Sequence, residues 1–269
     1  MNATSRTGSI SLCVVGATGR MGKAIIEAAR EGFIITGAVT SGDNPNVGRT
    51  LRQLGLAPND VKLSPSVLLA DAAVHSDVVI SFTTPSAELS NAPLLAALGK
   101  PVVIGTTGYS PSEEASLRRS LEGVAAVISP NFSIGANYLY ALTKLLATLP
   151  DTFDFSIVEE HHAGKADAPS GTAKAIASII LQRRKYTKLV SGRSGASKRQ
   201  KDELELFSIR AGGIPGRHEV LAASSGETIR LEHEAFSREA FASGALVAAK
   251  WVLGRNPGVY SMAEVLGLN

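Results

Sequence analysis

In the first half of the chain, short apolar runs alternate with segments of helix-forming residues. Residues 12–15, 34–39, 78–82, 102–104 and 124–128 form the runs, and their length predicts strands. Between them, residues 21–30, 86–98 and 112–121 predict helices. Strands this apolar have no polar face to offer water. The pattern therefore predicts a parallel sheet covered by helices on both sides.

The pattern changes after Asn131. A helix is predicted over 134–149, then a strand over 153–159 with apolar residues mostly at period two, then a helix over 172–184. Three strands follow close together, at 204–210, 218–222 and 228–233, before a last helix at 238–253. Closely spaced strands predict an antiparallel or mixed sheet. The expected architecture is α/β: a dinucleotide-type domain built from residues 1–131 and 239–269, with an α+β domain of residues 132–238 and an open mixed sheet inserted near its C-terminal end.

Composition narrows the chemistry. The chain has 269 residues, 44% hydrophobic and 19% charged, which is ordinary for a globular protein. No apolar run approaches the ~20 residues that span a bilayer, so no membrane partner is expected. The first nine residues are polar, without the apolar core of a secretory signal, and read as a disordered tail. The single cysteine, Cys13, excludes an internal disulfide and fits a reducing cytoplasm, where it reads as a small buried residue. Two basic stretches, 182–188 and 193–201, raise the question of nucleic acid. The second is interleaved with Gly and Ser and lacks aromatics, so it reads as a mobile solvated loop and no nucleic-acid partner is expected. The net charge of +3 suits small anions such as dinucleotides or dicarboxylates.

The stretch GATGRMG, from Gly16 to Gly22, follows a predicted strand and opens a predicted helix. In that setting Gly16 permits a tight turn, Gly19 lets the backbone approach a pyrophosphate, and Gly22 lets helix and strand pack closely. The helix start then offers N–H groups and a positive dipole end to the anion. An acid is expected at the end of the next strand, to hold the ribose 2′-hydroxyl. Ser41 stands there instead, with Asp43 two residues later. A carboxylate would repel a 2′-phosphate, so its loss removes the barrier to NADP, with Arg20 and Arg49 the nearest basic residues. The expectation is NADPH or NADH, used alike or with NADPH preferred. Two further loops, GTTG at 105–108 and SPNFS at 129–133, follow predicted strands and would border the same cofactor.

The stretch EEHHAGKADAPSGT, residues 159–172, concentrates the remaining chemistry. His161 and His162 end a strand and so point to opposite faces, which disfavours a shared metal; no metal is expected. Ser170 is not in a G-x-S-x-G elbow, which argues against a serine hydrolase. His218 and His233 read as hydrogen-bonded sheet histidines. The remaining reading is an anion site with proton donors. Ser170 would cap a helix starting near Gly171, the amides of Gly171 and Thr172 would hold a carboxylate, and Lys165 and the histidines would supply charge and protons.

GATGRMG, GTTG, PNFS, EHHAGKADAPSGTA, RAGGIPGRHEV and SREAFASGAL, in this order, closely resemble the motifs of the 4-hydroxy-tetrahydrodipicolinate (dihydrodipicolinate) reductases of the diaminopimelate–lysine pathway. The resemblance runs from about residue 10 to 268. It implies a Rossmann domain plus a substrate domain, a homotetramer, and NAD(P)H-dependent reduction of a cyclic dicarboxylate. It further implies that His161 is the acid/base and Lys165 the proton donor, that His162 binds substrate, and that Gly171 and Thr172 grip a carboxylate. Gly16, Ala17, Thr18, Gly19, Arg20, Met21, Gly105, Thr106, Thr107, Ser129, Pro130, Asn131 and Phe132 would hold the cofactor, with Ser41 beside its ribose. In the implied reaction the hydroxy-acid loses water to give a conjugated imine. Hydride then enters at ring carbon four and a proton completes the product. Besides the acid missing at Ser41, Ser81 stands where many members of the family have an acid, a change expected to alter packing below the cofactor. Rival readings are a non-catalytic NADP-binding redox sensor and a reductase of a different cyclic imine.

Overall fold

The computed structural model describes residues 8–268, so the expected disordered tail falls almost wholly outside it. The described residues form two compact units, divided between Phe132 and Ser133 and again between Ser237 and Arg238.

The first unit begins β1 (Ile10–Val15), α1 (Arg20–Ala28), β2 (Phe33–Thr40), β3 (Leu63–Pro65), α2 (Leu69–Ala73), β4 (Val78–Ser81), α3 (Pro85–Ala97), β5 (Val102–Ile104), α4 (Pro111–Ser120) and β6 (Ala125–Ile128). The second unit holds α5 (Ile134–Leu146), β7 (Asp154–His161), α6 (Gly171–Arg183), β8 (Lys188–Val190), β9 (Glu203–Arg210), β10 (Arg217–Ala223) and β11 (Thr228–Glu234). The chain then returns to the first unit with α7 (Glu239–Val252), β12 (Gly258–Tyr260) and α8 (Met262–Leu266).

The first sheet is parallel throughout, in the order β12-β6-β5-β4-β1-β2-β3. Alternate residues of each strand feed two separate cores. Leu12, Val14, Ile80, Val103 and Val127 pack with Ile25, Ala245 and Ala249 of α1 and α7. Cys13, Val15, Val79, Ile104 and Ala126 pack with Leu69, Leu95 and Leu117 of α2, α3 and α4. Two covered faces explain why these strands read as unbroken apolar runs. Burial pushes the Cys13 thiol up to about 12, which keeps it unreactive.

The second sheet is mixed, in the order β11-β10-β7-β9-β8. β10 runs antiparallel to β7 and β11, while β7, β8 and β9 are parallel. β9 and β10 follow one another in sequence, yet β7 lies between them. One face buries Phe155, Ile157, Leu206 and Val220 beneath Leu139 of α5 and Ile176 and Ile180 of α6. The other carries ion pairs of Arg217 with Glu160, Glu219 and Glu232, and of Arg230 with Glu219.

The structure adds elements that the pattern did not announce. β3, β8 and β12 have 3 residues each and α2 and α8 have 5, too few for a period to show. It also corrects the reading of 193–201 as wholly solvated. Arg193 bonds Glu203 and pairs with Glu205, while Arg199 donates to the carbonyls of Glu203 at 2.6 Å and Phe155 at 3.2 Å. The basic stretch is fastened to the sheet by its own arginines.

Candidate active site

In the first unit, the strand order reverses beside β1, which lies between β2 and β4. Ligands in such sheets bind beyond the carboxyl ends at that point. Gly16 sits there with φ 81°, and a Cβ on it would stand 2.1 Å from the carbonyl oxygen of Phe82. Only glycine fits, for both reasons. The amides of Gly16 and Ala17 both donate to the Val39 carbonyl at 2.9 Å, which ties the turn to the end of β2. Thr18 adds a hydroxyl contact of 2.7 Å with Thr40 and accepts from Asn44 at 3.2 Å. Gly19 precedes α1, and no side chain caps that helix. The first amides of a helix have no intrahelical partner and carry its positive dipole end. A tight glycine turn before an uncapped helix fits a dinucleotide diphosphate.

Ser41 is exposed just past β2, and Arg20 is exposed at the start of α1. Arg49 is otherwise engaged, donating to Asn46 Oδ1 at 3.0 Å and to the Gln53 carbonyl at 3.1 Å. Of the loop after β5, Gly105 is half-buried, Thr106 is buried and Thr107 exposed. Of the loop after β6, Pro130 is exposed, while Ser129 and Asn131 are buried and joined through the Ser129 hydroxyl and the Asn131 carbonyl at 2.8 Å. Phe132 is a core residue, edge-on to Phe82 at 5.6 Å, and supports the loop from below.

In the second unit, β7 ends on His161, and Glu159 lies two residues back on the same face. Glu159 is fully buried. Its Oε2 bonds His161 Nδ1, and its Oε1 accepts from Arg210 at 2.8 Å and from the Ser170 amide at 3.3 Å. Arg210 also holds the Asp167 carbonyl at 2.6 Å, and Asp167 accepts from Lys165 Nζ at 2.6 Å. One buried carboxylate thus organises the whole turn between β7 and α6. His162 lies just past the strand, partly buried.

Ser170 is the N-cap of α6, its hydroxyl accepting from Ala173 at 3.1 Å. Gly171 opens the helix and is exposed, with open space where a side chain would be; Thr172 follows it. His218, buried and paired in register with Glu159, lies 3.1 Å from the Ser170 hydroxyl. Its ring stands edge-on to His161 at 5.1 Å. Gly216, with φ 154°, leaves room over the imidazole: a Cβ there would stand 3.2 Å from His161 Nε2.

Neither Glu159 nor Arg210 was singled out from the sequence, and His218 was read there without a place at the site. The signal available was weak: an acid two residues before His161, and an Arg and a His bracketing the RAGGIPGRH run. His218 is the hydrogen-bonded sheet histidine expected, and its ring also borders His161. Glu159, His161 and His218, the last two on neighbouring strands, bring potential ligand atoms within 4.8 Å of one another. Arg210 and His161 already occupy the Glu159 oxygens, and Ser170 meets one His218 nitrogen.

Burial alone raises the Glu159 pKa, but bonds from Arg210, Ser208 and His161 outweigh it and leave Glu159 below the usual carboxylate range. Burial lowers His161; Glu159 opposes this, and Lys165 and Arg210 add to it. An ionised Glu159 makes Nδ1 the donor in that bond, so the neutral imidazole keeps its lone pair on Nε2. Burial holds His218 down to about 3, with His161 contributing, and lowers His233 as well.

These shifts share one sign. The unfolded chain binds protons that the folded histidines refuse, so stability is full above pH 6.5 and falls as pH drops toward 3. Between pH 8 and 5, His218 alone should account for about 2 kcal/mol of lost stability. Urea unfolding at both pH values checks this. His218→Gln should flatten the dependence, and an unchanged slope in that variant would contradict it.

The comparisons with known proteins are consistent across the chain. The family model described as dihydrodipicolinate reductase, N-terminus, matches residues 10–132, and the model for its C-terminus matches 135–266. A curated 4-hydroxy-tetrahydrodipicolinate reductase of Methanopyrus kandleri is 43% identical over 96% of each chain. One of Rhodopseudomonas palustris is 40% identical over 96% of this chain and 97% of its own. Among solved structures, a dipicolinate-bound dihydrodipicolinate reductase from Paenisporosarcina sp. TG-14 superposes with a TM-score of 0.74 at 23% identity, covering 95% of this chain and 98% of that one. An amine dehydrogenase from Mycobacterium smegmatis, at 14% identity, shares the fold with a TM-score of 0.64 over 95% and 96%. The two models together span nearly the whole chain, and near-full-length relatives at about 40% identity agree with them, so the chain belongs to the dihydrodipicolinate reductase family.

Proposed function

We propose that this reductase of diaminopimelate and lysine biosynthesis divides its work between its two units. The first would bind a reduced nicotinamide dinucleotide through Gly16–Met21, Ser41 and the loops 105–107 and 129–132. The second would bind 4-hydroxy-tetrahydrodipicolinate and move protons. The observation that carries the reading is the cluster around Glu159, in which one buried carboxylate orients His161 and, with Arg210, fixes the Lys165–Asp167 turn.

The dinucleotide supplies a hydride to the ring when bound. Everything else falls to the chain's own side chains. The N-terminus of α6, at Gly171 and Thr172, holds one substrate carboxylate with the positive end of the helix dipole. His162 is a second contact. Lys165 presents an ammonium that stabilises the negative charge developing on the ring and donates the proton. His161, kept neutral and oriented by Glu159, exchanges a proton through Nε2. His161→Gln is expected to lower kcat about 10²-fold or more with dinucleotide Kd within twofold.

Either dinucleotide should serve, with NADPH preferred, because no carboxylate stands at position 41 and Arg20 is exposed nearby. A 340 nm assay with in-situ substrate and both dinucleotides tests activity and preference together. A strong NADH preference would overturn the second point, and NADPH binding without turnover would instead favour a redox sensor. The family resemblance further supports a cytoplasmic homotetramer, which sedimentation would test. Among the described residues, no helix is long and apolar enough to cross a membrane.

A further inference from the structure

We propose that Glu88 is a positioning residue, a buried tether that locks the loops after β4 and β5 together and so sets the grip on the dinucleotide. Glu88 lies on α3 and is fully buried. Three hydroxyls converge on its Oε2: Ser81 at 2.8 Å, Thr83 at 2.9 Å and Thr106 at 2.7 Å. The Thr106 hydroxyl also accepts the Thr83 amide at 2.9 Å, so it is used in both directions. The backbone at Thr83, past the end of β4, is thereby fixed to the side chain of Thr106, past the end of β5. Both lie beyond the carboxyl ends of neighbouring strands.

A carboxyl group inside a protein is costly unless it is bonded, and an apolar side chain would fill the space more cheaply. Glu88 Oε1 has no partner among the described residues, so the bonding is concentrated on the side facing the two loops. The arrangement also accounts for Ser81. The acid expected on the strand at that position is absent, and a carboxylate from α3 meets the serine hydroxyl instead. The carboxylate thus joins two residues at the end of β4 to one in the loop 105–107.

The inference rests on the dinucleotide reading of that loop. The test is calorimetric titration of NADPH and NADH into the parent chain, Glu88→Ala and Glu88→Gln, with thermal midpoints measured alongside. Glu88→Ala removes the shared acceptor and should raise Kd about tenfold. Glu88→Gln keeps an acceptor oxygen and should stay within about threefold. A folded Glu88→Ala protein with the parent's Kd, whatever its midpoint, overturns the tether. Should Glu88→Ala fail to fold, Thr83→Val and Thr83→Ser carry the test, since the Thr83 hydroxyl is tied to the same oxygen. Valine should weaken binding and serine should not, and equal affinities overturn the proposal. A parent chain that binds neither dinucleotide refutes the underlying reading instead, which the variants alone could not do.

Discussion

Lys165→Ala is expected to lower kcat by about 10²–10⁴-fold and to raise the substrate KM, with dinucleotide affinity unchanged. Lys165 Nζ is held 2.6 Å from Asp167 Oδ1, on a turn that Arg210 clamps through the Asp167 carbonyl. The ammonium is thus fixed in place before any ligand arrives, and little reorganisation is left to the reaction. On the proposed reading it would attract a dicarboxylate in the ground state and stabilise charge in the transition state, so both constants should move. Lys165→Arg keeps the charge but presents a weaker acid with a different shape, and should restore substrate KM more than kcat. Steady-state assays at saturating dinucleotide separate the two. Near-normal turnover in Lys165→Ala would remove this residue from the chemistry.

Glu159→Ala should cost about 3–5 kcal/mol of stability, the largest effect expected of any single substitution outside the apolar cores. The variant leaves Arg210, the Ser170 amide and His161 without the acceptor they share. The loss should be local: the turn from 162 to 170 and the start of α6 would loosen first. Glu159→Gln keeps one acceptor and the shape. It should fold, yet still lose turnover, because an amide can donate to His161 Nδ1 and reverse the tautomer that leaves Nε2 free. Urea titration with amide hydrogen exchange would measure both. A cost below about 1 kcal/mol for Glu159→Ala would show that the network is ornamental.

Much of this was legible in the chain. The parallel sheet showed because its central strands are buried on both faces and read as apolar runs. The glycine turn showed because close backbone approach at Gly16 admits one residue type. Ser170 and Gly171 were readable as a cap and a helix start. The harder features depend on register. His218 meets Glu159 only because β10 pairs antiparallel with β7, and Arg210 reaches the same carboxylate from β9 on the other side. Nothing in the spacing of 159, 210 and 218 reveals that they meet. Glu88 was invisible for a similar reason. In an apolar-poor helix start it looks like a solvated acid, and only the packing of α3 against the ends of β4 and β5 buries it.

A crystal structure of the protein soaked with pyridine-2,6-dicarboxylate would show where the substrate sits. The expected result is one ring carboxylate on the amide of Gly171 at the start of α6, with His161 and Lys165 within hydrogen-bonding reach of the ring or its second carboxylate. A ligand bound in full occupancy elsewhere, with His161 and Lys165 turned away from it, would contradict the assignment of the second unit as the seat of proton transfer.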